Sequence, residues 1–196
     1  MTSKAGQKCT AIRRVIAPRG QVEALVDALR SRLAKMPPGL PEDEATRMGA
    51  LASLAQREEV RARIAELSKV AEIVAGDPDT VTLATGDADK GAFLNPVLLH
   101  AAQPFSAAAV HEVEAFGPVS TVIPYDDLEE AMALTRMGKG SLVASVFTDD
   151  PRVAESAVLE AAPFHGRILI GNRASAKTST GHGSPLAPLV HGGPGR

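Results

Sequence analysis

Apolar positions along the chain change their spacing in a way that separates short strands from amphipathic helices. From Ala11 to Pro18 ("AIRRVIAP") a short β-branched run ends at proline, the pattern of a strand. After Gly20, Val22, Leu25, Val26, Leu29 and Leu33 recur at helical spacing, so a helix is expected over 21–36. "PPGLPEDEATRMG" cannot continue it, because each proline removes a donor and clashes with the preceding turn. Ser53 and Gln56 then have the spacing of a capping box ahead of a second helix over 54–69. Its dense charges read as a solvated face. "EIVAG" and "TVTLATG" are two strand candidates separated by the turn residues 77–79, and "AFLNPVLLHA" is an extended apolar segment broken by Pro96.

The rest of the chain alternates more clearly. "PVSTVIPY" reads as a strand, Asp126 or Asp127 caps a helix over 128–137, and Gly138 and Gly140 close it. "LVASVFT" is the next strand. "DDPRVAESAVLEAA" is a helix with Pro151 suited to its first turn, and "GRILIGN" is the last strand. Strands alternating with helices predict an α/β fold, a three-layer and mainly parallel sheet covered by helices. Beyond Arg173 the chain is rich in Gly, Pro, Ser and Thr and has little periodicity.

Composition narrows the functional classes. The 196 residues carry a formal net charge of −2, which supplies no basic field for nucleic acid or an anionic membrane. Aromatics are only 3%, with no Trp, so a stacking platform for single strands is not expected either. No apolar run approaches the ~20 residues of a membrane span. A single cysteine cannot form an internal disulfide, which points to a reducing, cytoplasmic setting.

That cysteine, Cys9, is the first candidate for chemistry. It follows Gly6, Gln7 and Lys8 and precedes Arg13 and Arg14, cations able to favour a thiolate if they turn toward it. Residue chemistry alone leaves two readings: a reactive thiol, or a small buried side chain, and the second is the commoner. His100, His111, His165, His182 and His191 are scattered and show no zinc-ligand spacing, so no metal site is expected. Glu112 and Glu114 stand before a Phe-Gly-Pro turn that opens onto a strand. A carboxylate there is suited to sugar hydroxyls, or is simply part of a polar loop.

Taken in order, these segments resemble the aldehyde dehydrogenase superfamily. "GQKCTAIRRVIAP" resembles its Gly-Gln-x-Cys nucleophile segment running into a strand, and "EAFGPVSTVIPYDDLEEAMAL" its Glu-x-Phe-Gly-Pro-Val motif. "MGALASLAQREEVRARI", "GAFLNPVLL" and "GSLVASVFTDDPRVAESAVLEAAPFHGRILIGN" are similar to family segments in the same register, with Ala50 where proline is usual. The tail "GHGSPLAPLVHGGPGR" places His191 where the family has phenylalanine. That ending, together with "GQKCTAIRR", resembles the CoA-thioester semialdehyde dehydrogenases of aerobic aromatic degradation, of the phenylacetate and benzoate pathways.

The resemblance implies that Cys9 is the nucleophile, that Glu114 binds the nicotinamide ribose and that Phe116 packs near the nicotinamide. It implies NADP or NAD as cofactor, with NADP favoured, and a small aldehyde substrate, possibly CoA-linked. The parent is expected to be a homo-oligomer. In the family, the general-base glutamate, the oxyanion-hole amide and the dinucleotide-binding domain precede the cysteine. Residues 1–196 are therefore expected to be a catalytic domain truncated at both ends and inactive alone. Two other readings stand beside this one: an acylating, CoA-dependent dehydrogenase, and a non-catalytic interaction module. Arg173, Lys177 and His182 are candidates for contacts with a CoA-linked substrate, or solvated loop residues.

Overall fold

The computed structural model describes residues 1–175, in two compact units: Met1–Tyr125, and a second that begins at Asp126. The first unit is built on a four-stranded sheet of β1 (Arg14–Pro18), β2 (Glu72–Ala75), β3 (Val97–His100) and β4 (Val119–Tyr125), in the order β1-β4-β3-β2. β1 and β3 both run parallel to β4, and β2 closes the far edge antiparallel to β3. The two central strands are buried on both faces, β3 with an apolar run at Val97–Leu99 and β4 with Ser120 and Thr121 buried among its apolar residues. Val97, Leu98, Leu99, Val122 and Ile123 are wholly buried.

Helix α1 (Val22–Leu33) lays Val22 and Val26 on Leu98, Val122 and Ala17, which is why its apolar stripe has helical spacing. Helix α2 (Leu54–Leu67) buries Val60, Ile64 and Leu67. Ser53 caps it, accepting from the Gln56 N–H at 3.1 Å. The expected capping box is only half formed, because Gln56 offers its side-chain oxygen to Gln7.

The charged face of α2 is only partly solvated. Arg63 meets Glu59 and Glu66 at the surface. Arg57, in contrast, donates to the carbonyls of Ala88 and Gly91, and Arg61 to that of Pro78 at 2.8 Å. These guanidinium groups satisfy the backbone of a long loop that has no ladder of its own.

That loop contains the one predicted strand that does not form. "TVTLATG" (80–86) has β-branched alternation but no strand beside it. The Thr82 N–H goes to Asn95 Oδ1, the Thr80 carbonyl accepts from Asn95 Nδ2, and the Ala84 N–H donates to Pro38. Side chains and loop carbonyls thus take the bonds a ladder would have used. Within "AFLNPVLLHA" only Val97–His100 pairs, after Pro96. A five-residue helix, α3 (Ala108–Glu112), precedes the Glu114 segment and gives no periodic signal.

The second unit pairs β5 (Ser141–Phe147) with β6 (His165–Gly171) in parallel, joined through α5 (Pro151–Ala161). Asp127 caps α4 (Leu128–Met137) through the Glu130 N–H at 2.9 Å, and Asp150 caps α5 with Pro151 in the first turn. The α/β class and mainly parallel pairing agree with the sequence pattern. No helix among the described residues is long and apolar enough to cross a membrane.

Candidate active site

Parallel pairing of β1 with β4 places the segments that precede them at one end of the sheet. Those segments are Gly6–Arg13, which carries Cys9, and Glu114–Pro118. Their junction is backbone on backbone. Gly6 has φ +72°, and a Cβ there would lie 1.9 Å from the Gly117 carbonyl oxygen and 2.6 Å from Pro118 N. Only glycine satisfies both the left-handed φ and this approach. Gly117 is in turn covered by Val60 of α2, whose Cγ1 would be 2.6 Å from an added Cβ.

Beyond Gly6 the chain makes a turn closed by the Ala11 N–H on the Lys8 carbonyl at 2.8 Å, and Cys9 lies within it. Cys9 is exposed and not in a disulfide. Of the two readings that residue chemistry leaves open, this exposure excludes the buried, space-filling one. A tight turn with a neighbouring charged residue leaves no apolar shell for the thiol, whereas Thr10 beside it is buried. The strand that follows is tied to β4 before regular pairing begins: Thr121 N–H donates to Arg13 at 2.9 Å, and Ser120 Oγ to the Ile12 carbonyl.

An open cleft on this end is lined by Gly6, Lys8, Arg13, Glu114, Phe116 and Thr121, among others. Cys9 is not among its lining residues; it follows Lys8 directly in the chain. Glu114 is exposed. Phe116 has φ +48° and is 42% exposed, so a bulky residue is held in the left-handed region with its ring left toward solvent. For an L-residue that conformation costs about 1–2 kcal/mol, and such strain collects at functional positions. The flanks hold it: Val119 N–H donates to Gly117 at 2.7 Å and Val97 N–H to Pro118 at 2.8 Å.

Sequence spacing gave no sign of the polar cluster behind the cleft. Arg13 Nη2 donates to the His111 carbonyl at 3.1 Å, and Arg14 Nη1 donates to His111 Nδ1 at 3.0 Å. A guanidinium only donates, so Nδ1 accepts; Nε2 then carries the proton toward the Pro104 carbonyl at 2.9 Å. The imidazole is neutral and buried. Burial holds its pKa below the usual histidine value, and the charges of Arg14 and Arg13 add to this. Burial also pushes Arg14 down to about 10, with the Arg13 charge contributing. The partners are 97 positions apart, and no local motif links them. The same holds for Gln7, whose Oε1 accepts from the Ala52 N–H at 2.8 Å and whose Nε2 donates to Gln56 Oε1 at 3.1 Å.

Arg173 lies in a turn where its N–H donates to Asp149 at 3.0 Å. Lys177, His182, His191 and the glycine-rich ending lie outside the described residues. Among the described residues no three His, Cys, Asp or Glu side chains gather as a metal site would require.

Gly6 thus sets the Cys9 turn against the Glu114–Pro118 segment at the ends of adjacent parallel strands. The aldehyde dehydrogenase family model matches residues 1–180, and the chain belongs to that family. It is 43% identical over 195 residues to the 3,4-dehydroadipyl-CoA semialdehyde dehydrogenase of Aromatoleum evansii, covering 99% of this chain and 38% of that protein. It is 47% identical over 152 residues to protein MaoC of Klebsiella aerogenes, covering 76% and 43% respectively. Among solved structures, aldehyde dehydrogenase C of Pseudomonas syringae, in complex with NAD+ and octanal, superposes with TM-score 0.74 at 28% identity. The match covers 85% of this chain and 33% of that one. Betaine aldehyde dehydrogenase of Staphylococcus aureus gives TM-score 0.75 at 26% identity, over 86% and 33%. The chain thus spans about two fifths of the length of these curated relatives.

Proposed function

We propose that this chain supplies the nucleophile and part of the dinucleotide site of an NAD(P)-dependent aldehyde dehydrogenase, with Cys9 as nucleophile. The observation that carries this reading is the Gly6–Gly117 contact, because it joins the cysteine turn to the segment bearing Glu114 and Phe116. Sγ of the Cys9 thiolate forms a bond to the aldehyde carbon, and the carbonyl electron pair moves onto oxygen. The backbone N–H of Cys9 donates to that oxyanion. Loss of hydride from the same carbon leaves a thioester on Sγ, and water hydrolyses it to the acid and the free thiol.

An acidic side chain beside an exposed aromatic ring on an open cleft fits a ribose diol and a flat nicotinamide. Glu114 would accept from the ribose hydroxyls and Phe116 would pack near the ring. When bound, the dinucleotide supplies the acceptor for the departing hydride. The name of the Aromatoleum relative supports a CoA-linked semialdehyde as substrate. The family resemblance extends the reading to NADP as the favoured dinucleotide and to a cytoplasmic, homo-oligomeric parent. In the family a general-base glutamate precedes the nucleophile, which supports the reading that residues 1–196 alone do not turn over aldehyde.

The test is a chimera in which this chain replaces its 195-residue counterpart in the Aromatoleum relative. Formation of reduced dinucleotide with a CoA semialdehyde, abolished by Cys9→Ser, is the expected result. A chimera that folds by circular dichroism yet is inactive, or a Cys9→Ser variant that keeps activity, overturns the reading.

A further inference from the structure

We propose that Gln7 is a positioning residue that holds the Cys9 turn in register by anchoring it to the start of α2. The inference rests on Cys9 being the nucleophile, and it adds a residue that acts only through the turn. Both ends of the Gln7 amide are used. Oε1 accepts from the Ala52 N–H, one residue before the Ser53 cap, and Nε2 donates to Gln56 in the first turn of the helix. The donor on Ala52 fixes the amide orientation, since a backbone N–H cannot pair with an NH2 group.

α2 is the shared reference for both halves of the site. Its N-terminus holds Gln7, and Val60, farther along the same helix, covers Gly117. Gly6, next to Gln7, sits directly on Gly117 and Pro118. The Cys9 turn is therefore attached at one point by close backbone packing and at the next by two hydrogen bonds. Its own closure is the single Ala11-to-Lys8 bond, and Gln7 and Lys8 N–H groups bond only within 3–8. Ala52 is exposed, so water can replace Gln7 on its N–H. Losing Gln7 thus leaves the fold largely intact and frees the turn. That combination separates a positioning role from a structural one.

The experiment compares amide hydrogen exchange in the 196-residue chain with Gln7→Leu, Gln7→Glu and the core control Val26→Ala. In Gln7→Leu, protection of the Lys8 and Ala11 amides falls about tenfold while Val122 and Ile123 in β4 keep theirs. Gln7→Glu restores it, because a carboxylate still accepts from Ala52 and Gln56 turns its NH2 toward it. Val26→Ala lowers the melting temperature without a selective loss at Lys8 and Ala11. Unchanged protection in Gln7→Leu, a loss spread equally over β4, or failure of Gln7→Glu to rescue overturns the proposal. None of these readouts needs aldehyde turnover, so an inactive chimera would refute the function and leave this result standing.

Discussion

Replacing Gly6 by alanine tests the junction on which the site depends. The added Cβ would stand 1.9 Å from the Gly117 oxygen, 2.2 Å from its carbonyl carbon and 2.6 Å from Pro118 N. All three are backbone atoms, so no side chain can rotate away. The left-handed φ of +72° adds its own penalty. A left-handed alanine costs about 1–2 kcal/mol and forcing atoms into a packed region about 1–3 kcal/mol. Together these predict about 2–5 kcal/mol of destabilisation, or a drop of roughly 4–20 °C in Tm for a chain of this size. Gly20→Ala is the matched control: nothing lies within 4 Å of its added Cβ, and its stability should stay within about 0.5 kcal/mol of the parent. Thermal melts followed by far-UV circular dichroism measure both. A Gly6→Ala protein melting within about 2 °C of the parent would refute the claim that the Cys9 turn rests on Gly117.

Three further outcomes follow from named contacts. His111 has a folded pKa below its unfolded value, so its contribution to stability is present above about pH 6.5 and is lost as pH falls through and below that value. The groups facing it are Arg14, Arg13 and Glu112; urea midpoints measured from pH 7.5 to 5 should fall, and His111→Asn should flatten that slope. Asp127→Ala removes the cap of α4 and should cost the second unit about 1 kcal/mol, seen as early loss of amide protection in α4 while β4 is unaffected. In the chimera, Glu114→Gln should raise the KM for the dinucleotide more than it lowers kcat, and an equal fall in kcat with unchanged KM would remove Glu114 from that role.

Much of the fold was legible because its elements have strong local signals. α1, α4 and α5 show their apolar stripes and their caps or stops, and β4 is a β-branched run bounded by Pro118 and the Asp126–Asp127 turn. The failures have a common origin in non-local bonding. Thr80–Gly86 has strand composition, but Asn95 and Pro38 take its hydrogen bonds. Arg57 and Arg61 looked like solvated charge until a distant loop supplied carbonyls for them. α3 is too short for a period to show. Within the site, the motifs around Cys9 and Glu114 could be read from the chain, but their contact at Gly6, the Gln7 anchor and the Arg14–His111 pair depend on residues about 45 to 111 positions apart.

An acyl group carried on Cys9 can be trapped directly. The chimera is mixed with aldehyde and dinucleotide, quenched in acid during the first turnovers and digested with trypsin, which cuts after Lys8 and Arg13. The acyl mass is expected on the peptide Cys9–Arg13 and absent in Cys9→Ser. Turnover without that adduct, or the same adduct on another peptide, would contradict Cys9 as nucleophile.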